Sequence, residues 1–94
     1  MNIELTEKEF RRLLDMVYIG NWILNSTRGD DRFEDHDELQ EKLFTLCLDR
    51  GMRALVQTWH GRIYPSKAYE EGGIHEAIAD YEDAVFYNIL AEEL

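Results

Sequence analysis

Leu5-Thr6-Glu7-Lys8-Glu9-Phe10-Arg11-Arg12-Leu13-Leu14-Asp15-Met16-Val17-Tyr18-Ile19-Gly20-Asn21-Trp22-Ile23-Leu24 opens on a helix-start signal and then holds helical spacing to its end. Thr6 and Glu9 form a capping box: the Thr6 hydroxyl accepts from the Glu9 amide, and the Glu9 carboxylate accepts from the Thr6 amide. Leu5 and Phe10 stand at the two positions of a hydrophobic staple. Phe10, Leu13, Leu14, Val17, Tyr18 and Leu24 fall on one face of the helix this predicts, Thr6–Thr27. The opposite face is Lys8, Arg12 and Asp15 at first, then Met16, Ile19, Trp22 and Ile23. Its second half is therefore apolar nearly all round, which implies burial on two sides, by later elements or by a second subunit. Gly20, unfavourable inside a helix, is expected to permit a close approach.

Arg28 and Gly29 are expected to end that helix, and an acidic loop follows. Asp35 reads as the cap of a second helix, His36–Arg50, with Glu38 three residues on. Leu39, Leu43, Leu46 and Cys47 make its main apolar stripe, and Phe44 and Leu48 a narrower one. Asp37, Glu38 and Glu41 sit at the positive end of its dipole, Arg50 at the negative end, and Gly51 is placed to stop it.

Leu55-Val56-Gln57-Thr58-Trp59 and Arg62-Ile63-Tyr64 flank His60-Gly61, the spacing of a two-residue hairpin. In that register Thr58 faces Ile63 and Trp59 faces Arg62. Val56, Thr58 and Ile63 then point to the core, and Gln57, Trp59, Arg62 and Tyr64 share the other side. Pro65-Ser66 ends the strand, and Ser66 caps a short turn through Tyr69. After Gly72-Gly73, the most flexible point, Ile74, Ala77, Ile78 and Tyr81 keep an i, i+3, i+4, i+7 pattern. Val85, Phe86, Ile89, Leu90 and Leu94 continue it with Phe86 and Leu90 rotated off the stripe, so a bend is expected near Glu82-Asp83. These elements predict a single domain over 1–94, mostly α with a small β-hairpin, with three or four helices packed around the first.

Charge is laid out in blocks. Residues 1–29 are neutral, Asp30–Glu41 holds seven acids against Arg32 alone, and Lys42–Lys67 carries five bases against Asp49. No Lys or Arg follows Lys67, while eight acids do, and the net charge is -10. That field repels nucleic-acid backbones and anionic membranes and favours cationic partners. No apolar run approaches the roughly 18–20 residues of a membrane-spanning helix. The start, Met1-Asn2-Ile3-Glu4-Leu5, lacks the basic and apolar regions of a signal peptide, and Cys47 is the only cysteine. The expected setting is cytoplasmic, for a bacterial or phage protein.

Leu5-Thr6-Glu7-Lys8-Glu9-Phe10 and Leu13-Leu14-Asp15-Met16-Val17-Tyr18-Ile19, with the later Ile78-Ala79-Asp80-Tyr81 and an aromatic-bearing last helix, resemble a family of short, functionally uncharacterised bacterial proteins. The resemblance covers both ends of the chain and rests on capping and packing patterns. It implies a small, soluble, mostly helical domain, and it carries over no catalytic or binding residues.

Chemical motifs are sparse. Asp30, Asp31, Glu34, Asp35, His36 and Asp37 offer hard oxygen ligands, but Phe33 and Leu39 spoil the spacing of a calcium loop, and capping and solvation account for the same residues. His36, His60 and His75 show no ligand spacing and read as solvated. Cys47 lies on an apolar stripe and reads as core. A Gly-rich phosphate cradle, Gly-x-Ser-x-Gly and His-Glu-x-x-His are all missing. No cofactor, metal or catalytic residue is assigned, and an enzyme is the least favoured reading. Trp59, Arg62 and Tyr64 are residue types that dominate interface hot spots, although Arg62 stacked on Trp59 would explain the pair equally well. The favoured function is a non-enzymatic interaction module that self-associates as a dimer. It would use Met16, Ile19, Trp22 and Ile23, or Phe86 and Leu90, with the basic hairpin Trp59–Tyr64 meeting the acidic terminal helix within one fold or between two copies. The alternative is an acidic, phage-type inhibitor that imitates nucleic acid for a basic protein partner.

Overall fold

A computed structural model describes residues 1–93, with side chains described through Phe86. The fold is mostly α with one small hairpin. In order it comprises α1 (Glu7–Asn25), α2 (Glu34–Thr45), 3-10 turns at Leu46–Leu48 and Arg53–Leu55, β1 (Val56–Trp59), β2 (Arg62–Pro65), the short α3 (Lys67–Tyr69), a wide turn at Glu70–Ile74, and α4 (His75–Glu93).

The start of α1 is as the sequence dictates. Glu9 N donates to Thr6 Oγ1 at 3.1 Å, and Thr6 N donates to Glu9 Oε1 at 3.0 Å. The helix ends at Asn25, before Thr27. Its buried face differs from the expected one: it runs Phe10, Leu14, Tyr18, Asn21 and Asn25. Leu13, Val17 and Leu24 are only half-buried. Gly20 makes no close approach, since nothing lies within 4 Å of the position its Cβ would occupy. Among the described residues, burial on two sides is not achieved. Ile19 and Trp22 pack against the core, but Met16 is 73% and Ile23 56% exposed.

α2 begins at Glu34, with Phe33 as its cap and no side-chain cap bond. Asp35 therefore does not cap it, and its carboxylate turns to His36. The buried stripe is Phe44 and Cys47 flanked by half-buried Leu43 and Leu48; Leu39 and Leu46 are exposed. The helix tightens after Thr45 and the chain leaves it at Gly51, whose φ is +74°.

The hairpin has the expected register, Thr58 opposite Ile63 and Trp59 opposite Arg62, turning on His60 (φ 50°) and Gly61 (φ 75°). Of the three core-facing positions, Val56 and Ile63 pack inward and Thr58 stays exposed, because the tip extends past the core. Ser66 caps α3, accepting from Tyr69 N at 3.1 Å and donating to Ala54 O at 2.6 Å. That bond ties the start of α3 back to the turn before β1.

α4 runs unbroken through Glu82-Asp83, so the expected bend is absent; the one kink lies before it, at Gly72 and Gly73. Ile74 and Ile78 reach the core while Ala77 and Tyr81 do not. Phe10, Leu14, Tyr18, Phe44, Cys47, Tyr69, Ile74 and Ile78 form that core. Its centre is aromatic: Tyr69 meets Tyr18 and Phe44 edge-on at centroid distances of 5.3 and 5.1 Å. Burial of side chains this large contributes about 1.5–3 kcal/mol each, the main term holding so small a domain together. Among the described residues no helix is long and apolar enough to cross a membrane.

Candidate functional site

α1 separates two hollows, and Trp22 lines both. On one side α1, α2 and the hairpin enclose a polar cleft of about 430 Å3. On the other, α1 and α4 form an apolar groove of about 410 Å3.

The polar cleft is built on Asn21 and Asn25, which continue the buried face of α1 where the sequence suggested apolar residues. A buried amide costs several kcal/mol unless it finds partners, about 1–3 kcal/mol by mutational measures. Here every group is met. Asn25 Nδ2 donates to Asn21 Oδ1 at 2.6 Å, and Asn21 Nδ2 donates to Asp37 Oδ1 at 3.0 Å and Gln40 Oε1 at 3.2 Å. Arg32 grips Asp37 with two donors, Nε at 2.8 Å and Nη2 at 2.9 Å. The guanidinium holds the Asp37 carboxyl below the usual carboxylate range, helped by Asn21 and opposed by burial.

Arg62 does not stack on Trp59. It donates to Glu41 Oε1 through Nη2 at 2.7 Å and Nε at 3.2 Å, while Glu41 Oε2 accepts from Ile63 N at 2.9 Å. One carboxylate therefore docks β2 on α2, and its own titration is pushed down by Arg62 and then by the Ile63 amide. Trp59 is left 63% exposed at the tip, with the His60 ring 3.8 Å away and Tyr64 at 6.5 Å. Arg62 and Tyr64 line the polar cleft, and Trp59 stands outside it at the hairpin tip. The basic hairpin is internally neutralised at Arg62.

Part of the acidic loop's charge is likewise paired locally. Asp31 pairs with Arg28 at 3.0 Å, Asp37 with Arg32, and Asp35 with His36 at 2.9 Å. Among the described residues no three His, Cys, Asp or Glu side chains gather where they would hold a metal ion. His75 is not simply solvated, since its Nε2 lies 2.6 Å from the Tyr18 hydroxyl in a hydrogen bond. Its ring also meets Trp22 edge-on at 6.3 Å. Asp15, read as surface, accepts from Tyr69 Oη at 2.8 Å as well as from Arg11 and Arg12. Among the described residues no buried side-chain nitrogen or oxygen lacks a partner.

The groove brings together three of the expected contact residues, Ile19, Trp22 and Ile23, with Ala77, Ile78 and Tyr81 from α4; among the described residues Glu82 is its one charged lining residue. Met16 adjoins it on the outward side of α1, and Tyr81 is 62% exposed. Phe86 is exposed farther along α4, and Leu90 lies outside the described side chains. Sequence reasoning missed Asn21 and Asn25. Their signal was there: the spacing 10, 14, 18, 21, 25 carries the core face of α1 directly onto them. Comparison with known proteins found no family model, no curated protein and no solved structure that matches the chain.

Proposed function

We propose that this domain is a non-enzymatic protein-interaction module, and that its partner is a second copy of the same chain docked on the α1/α4 face. One observation carries this reading: a hollow and the side chains to fill it lie on a single surface. Among the described residues the groove is apolar apart from Glu82; exposed Ile23 and Tyr81 line it, and exposed Met16 lies on the same helix. Isologous pairing about a two-fold axis needs such a self-complementary patch. Charged residues are scarce there while Trp and Met are present, as in interface cores. The polar cleft, with its acids and bases already matched, supports a structural role.

Sedimentation velocity between about 1 and 100 μM tests this, a range that spans micromolar affinity. The expected result is a monomer–dimer shift abolished by Met16→Glu or Ile23→Glu, with unchanged helix content by circular dichroism. A strict monomer throughout the range sinks the self-association.

A second reading rests on a different side of α4. Glu76, Asp80 and Asp83 are exposed and share one helical face in a stretch without a single base. That surface suits a basic partner, including a nucleic-acid-handling enzyme whose ligand it would imitate. Binding to such an enzyme at low salt, lost as ionic strength rises, supports it; no binding at low salt removes it.

A further inference from the structure

The bonds that hold the polar cleft together leave a one-sided remainder. Each carboxylate oxygen of Asp37 and of Glu41 already accepts at least one hydrogen bond. The side-chain carbonyls of Asn21, Asn25 and Gln40 accept as well, from Asn25, Phe33 and Asn21 in turn. Donors are in surplus. Gln40 Nε2 and the Trp22 indole N–H donate to nothing among the described residues. Arg62 spends Nε and Nη2 on Glu41 and leaves Nη1 over. The Tyr64 and Ser26 hydroxyls have no hydrogen-bond partner among the described residues either. All five of these residues line the cleft.

We infer that the cleft binds a small uncharged ligand that carries a carbonyl-type acceptor on a flat apolar body, of the class of aromatic and heterocyclic amides. The acceptor follows from the surplus of donors, because a ligand carbonyl replaces the water on them bond for bond. The lack of charge follows from the pairing. Arg32 with Asp37 and Arg62 with Glu41 sum to zero within the cleft, and the chain as a whole carries -10. An anion enters against that field and meets guanidiniums already neutralised. A cation brings more donors to a surface whose acceptors are taken. The flat body follows from the walls, where Tyr18, Trp22 and Tyr64 offer aromatic surface beside Ile63. At about 430 Å3 the cleft lies at the small end of ligand pockets.

The site is also preorganised. Asn21 ties α1 to α2 through Asp37 and Gln40, and Glu41 ties α2 to the hairpin through Arg62 and Ile63. With its three walls already joined, little has to be ordered when a ligand enters. The cleft lies across α1 from the groove, so this binding does not depend on the self-association proposed above.

Three probes of one shape and different charge test it: benzamide, benzoate and benzamidine. Each is titrated into isotope-labelled protein, and the side-chain N–H signals of Gln40, Trp22 and Trp59 are followed by NMR. Trp59, exposed at the hairpin tip and outside the cleft, is the internal reference. Benzamide is expected to shift Gln40 and Trp22 saturably with a Kd on the order of 1 mM, the range for so small a ligand, and to leave Trp59 unmoved. Benzoate and benzamidine are expected to bind at least tenfold more weakly. Gln40→Glu keeps an oxygen for Asn21 and turns the free donor into an acceptor. It is expected to weaken benzamide at least fivefold and to tighten benzamidine, a crossover that loss of folding would not produce. Ala79→Glu adds the same charge at an exposed position on α4 and is expected to leave the binding of benzamide unchanged. The inference is overturned if none of the three probes binds up to about 20 mM, or if benzoate or benzamidine binds the unmodified chain as tightly as benzamide. It is also overturned if Trp59 titrates together with Trp22, or if Gln40→Glu weakens benzamide no more than Ala79→Glu does.

Discussion

Asn25 holds the backbone of Phe33 at both ends. Its Oδ1 accepts from Phe33 N at 2.7 Å, and its Nδ2 donates to Phe33 O at 3.2 Å. Phe33 is also the residue on which α2 starts, and no side chain of the helix caps it. The last buried residue of α1 thus closes the loop between the helices and sets where the next helix begins. Arg28 lies over the Phe33 ring at 4.6 Å and covers its outer face.

Replacing Asn25 by Ala is expected to cost about 2–4 kcal/mol, because it leaves the Phe33 amide and the Asn21 side-chain carbonyl without their partner. Asn25 is 1% exposed, so solvent cannot step in cheaply. Urea unfolding monitored at 222 nm measures it. A loss below about 0.5 kcal/mol, the range of an ordinary surface substitution, would show that the clamp is not structural.

Local features were legible in the sequence, and the choice of partner was not. The capping box at Thr6, the Ser66 cap and the hairpin register all depend on residues within a few positions of one another, and each has the expected geometry. Periodicity names a helical face but does not say how that face is turned. On α2 it placed Leu39, Leu43, Leu46 and Cys47 on the main stripe; Cys47 is in the core as expected, but Leu39 and Leu46 are exposed, and Phe44, from the narrower stripe, is turned inward instead. Asn21 and Asn25 could be buried only because Phe33, Asp37 and Gln40 return from the next element to meet them. Asp35 looked like a cap because it is acidic and precedes an apolar run; Asn25, ten residues earlier, had already met the Phe33 backbone. In the groove, the residues of α1 were readable as unusually apolar, whereas Ala77, Ile78 and Tyr81 became its other wall only through the kink before α4.

Acid is expected to weaken the domain through Asp37. Its folded-state carboxyl titrates below the ordinary value because of Arg32 and Asn21. A depressed acid contributes stability that is present above the unfolded-state pKa, about 3.9 for Asp, and is lost as pH falls through the lower folded value. Unfolding free energy should therefore drop between about pH 5 and pH 2. Asp37→Asn should start lower and lose less over that range. Equal slopes for the two proteins in urea titrations at pH 5, 4 and 3 would remove Asp37 from the acid response.

Base is expected to act through Tyr18 and Tyr69. Burial, aided by Glu70, pushes the Tyr18 hydroxyl to about 12, and burial with the Asp15 hydrogen bond pushes Tyr69 up as well. Between the ordinary tyrosine value near 10 and the raised ones, the folded state holds protons that the unfolded state releases, so stability falls as pH rises. Absorbance at 295 nm should show part of the tyrosine signal appearing only with loss of helix. Tyr69→Phe removes one of the two groups and should flatten the decline, although the Asp15 bond is lost at neutral pH. A variant that unfolds in base with the original pH dependence would contradict this origin.

Two neighbouring glycines are expected to respond with opposite signs. Gly73 has φ 106° and ψ -11°, a conformation L-residues rarely adopt, and its neighbour Gly72 has φ -79° and ψ 17°. Neither faces a steric block: nothing lies within 4 Å of a Cβ at Gly73, and at Gly72 the nearest atom is Arg11 Nη2 at 4.0 Å. Any difference between them is then a backbone effect. Gly73→Ala should cost about 1–2 kcal/mol from the positive φ alone. Gly72→Ala should be neutral or gain up to about 1 kcal/mol by restricting the unfolded chain. The kink also sets the direction in which α4 leaves the core, and with it the packing of Ile74 and Ile78 and the second wall of the groove. Gly73→Ala should therefore weaken concentration-dependent association as well as lower the melting temperature, while Gly72→Ala leaves association unchanged. Equal melting temperatures for the two variants would mean that the kink is not held by Gly73.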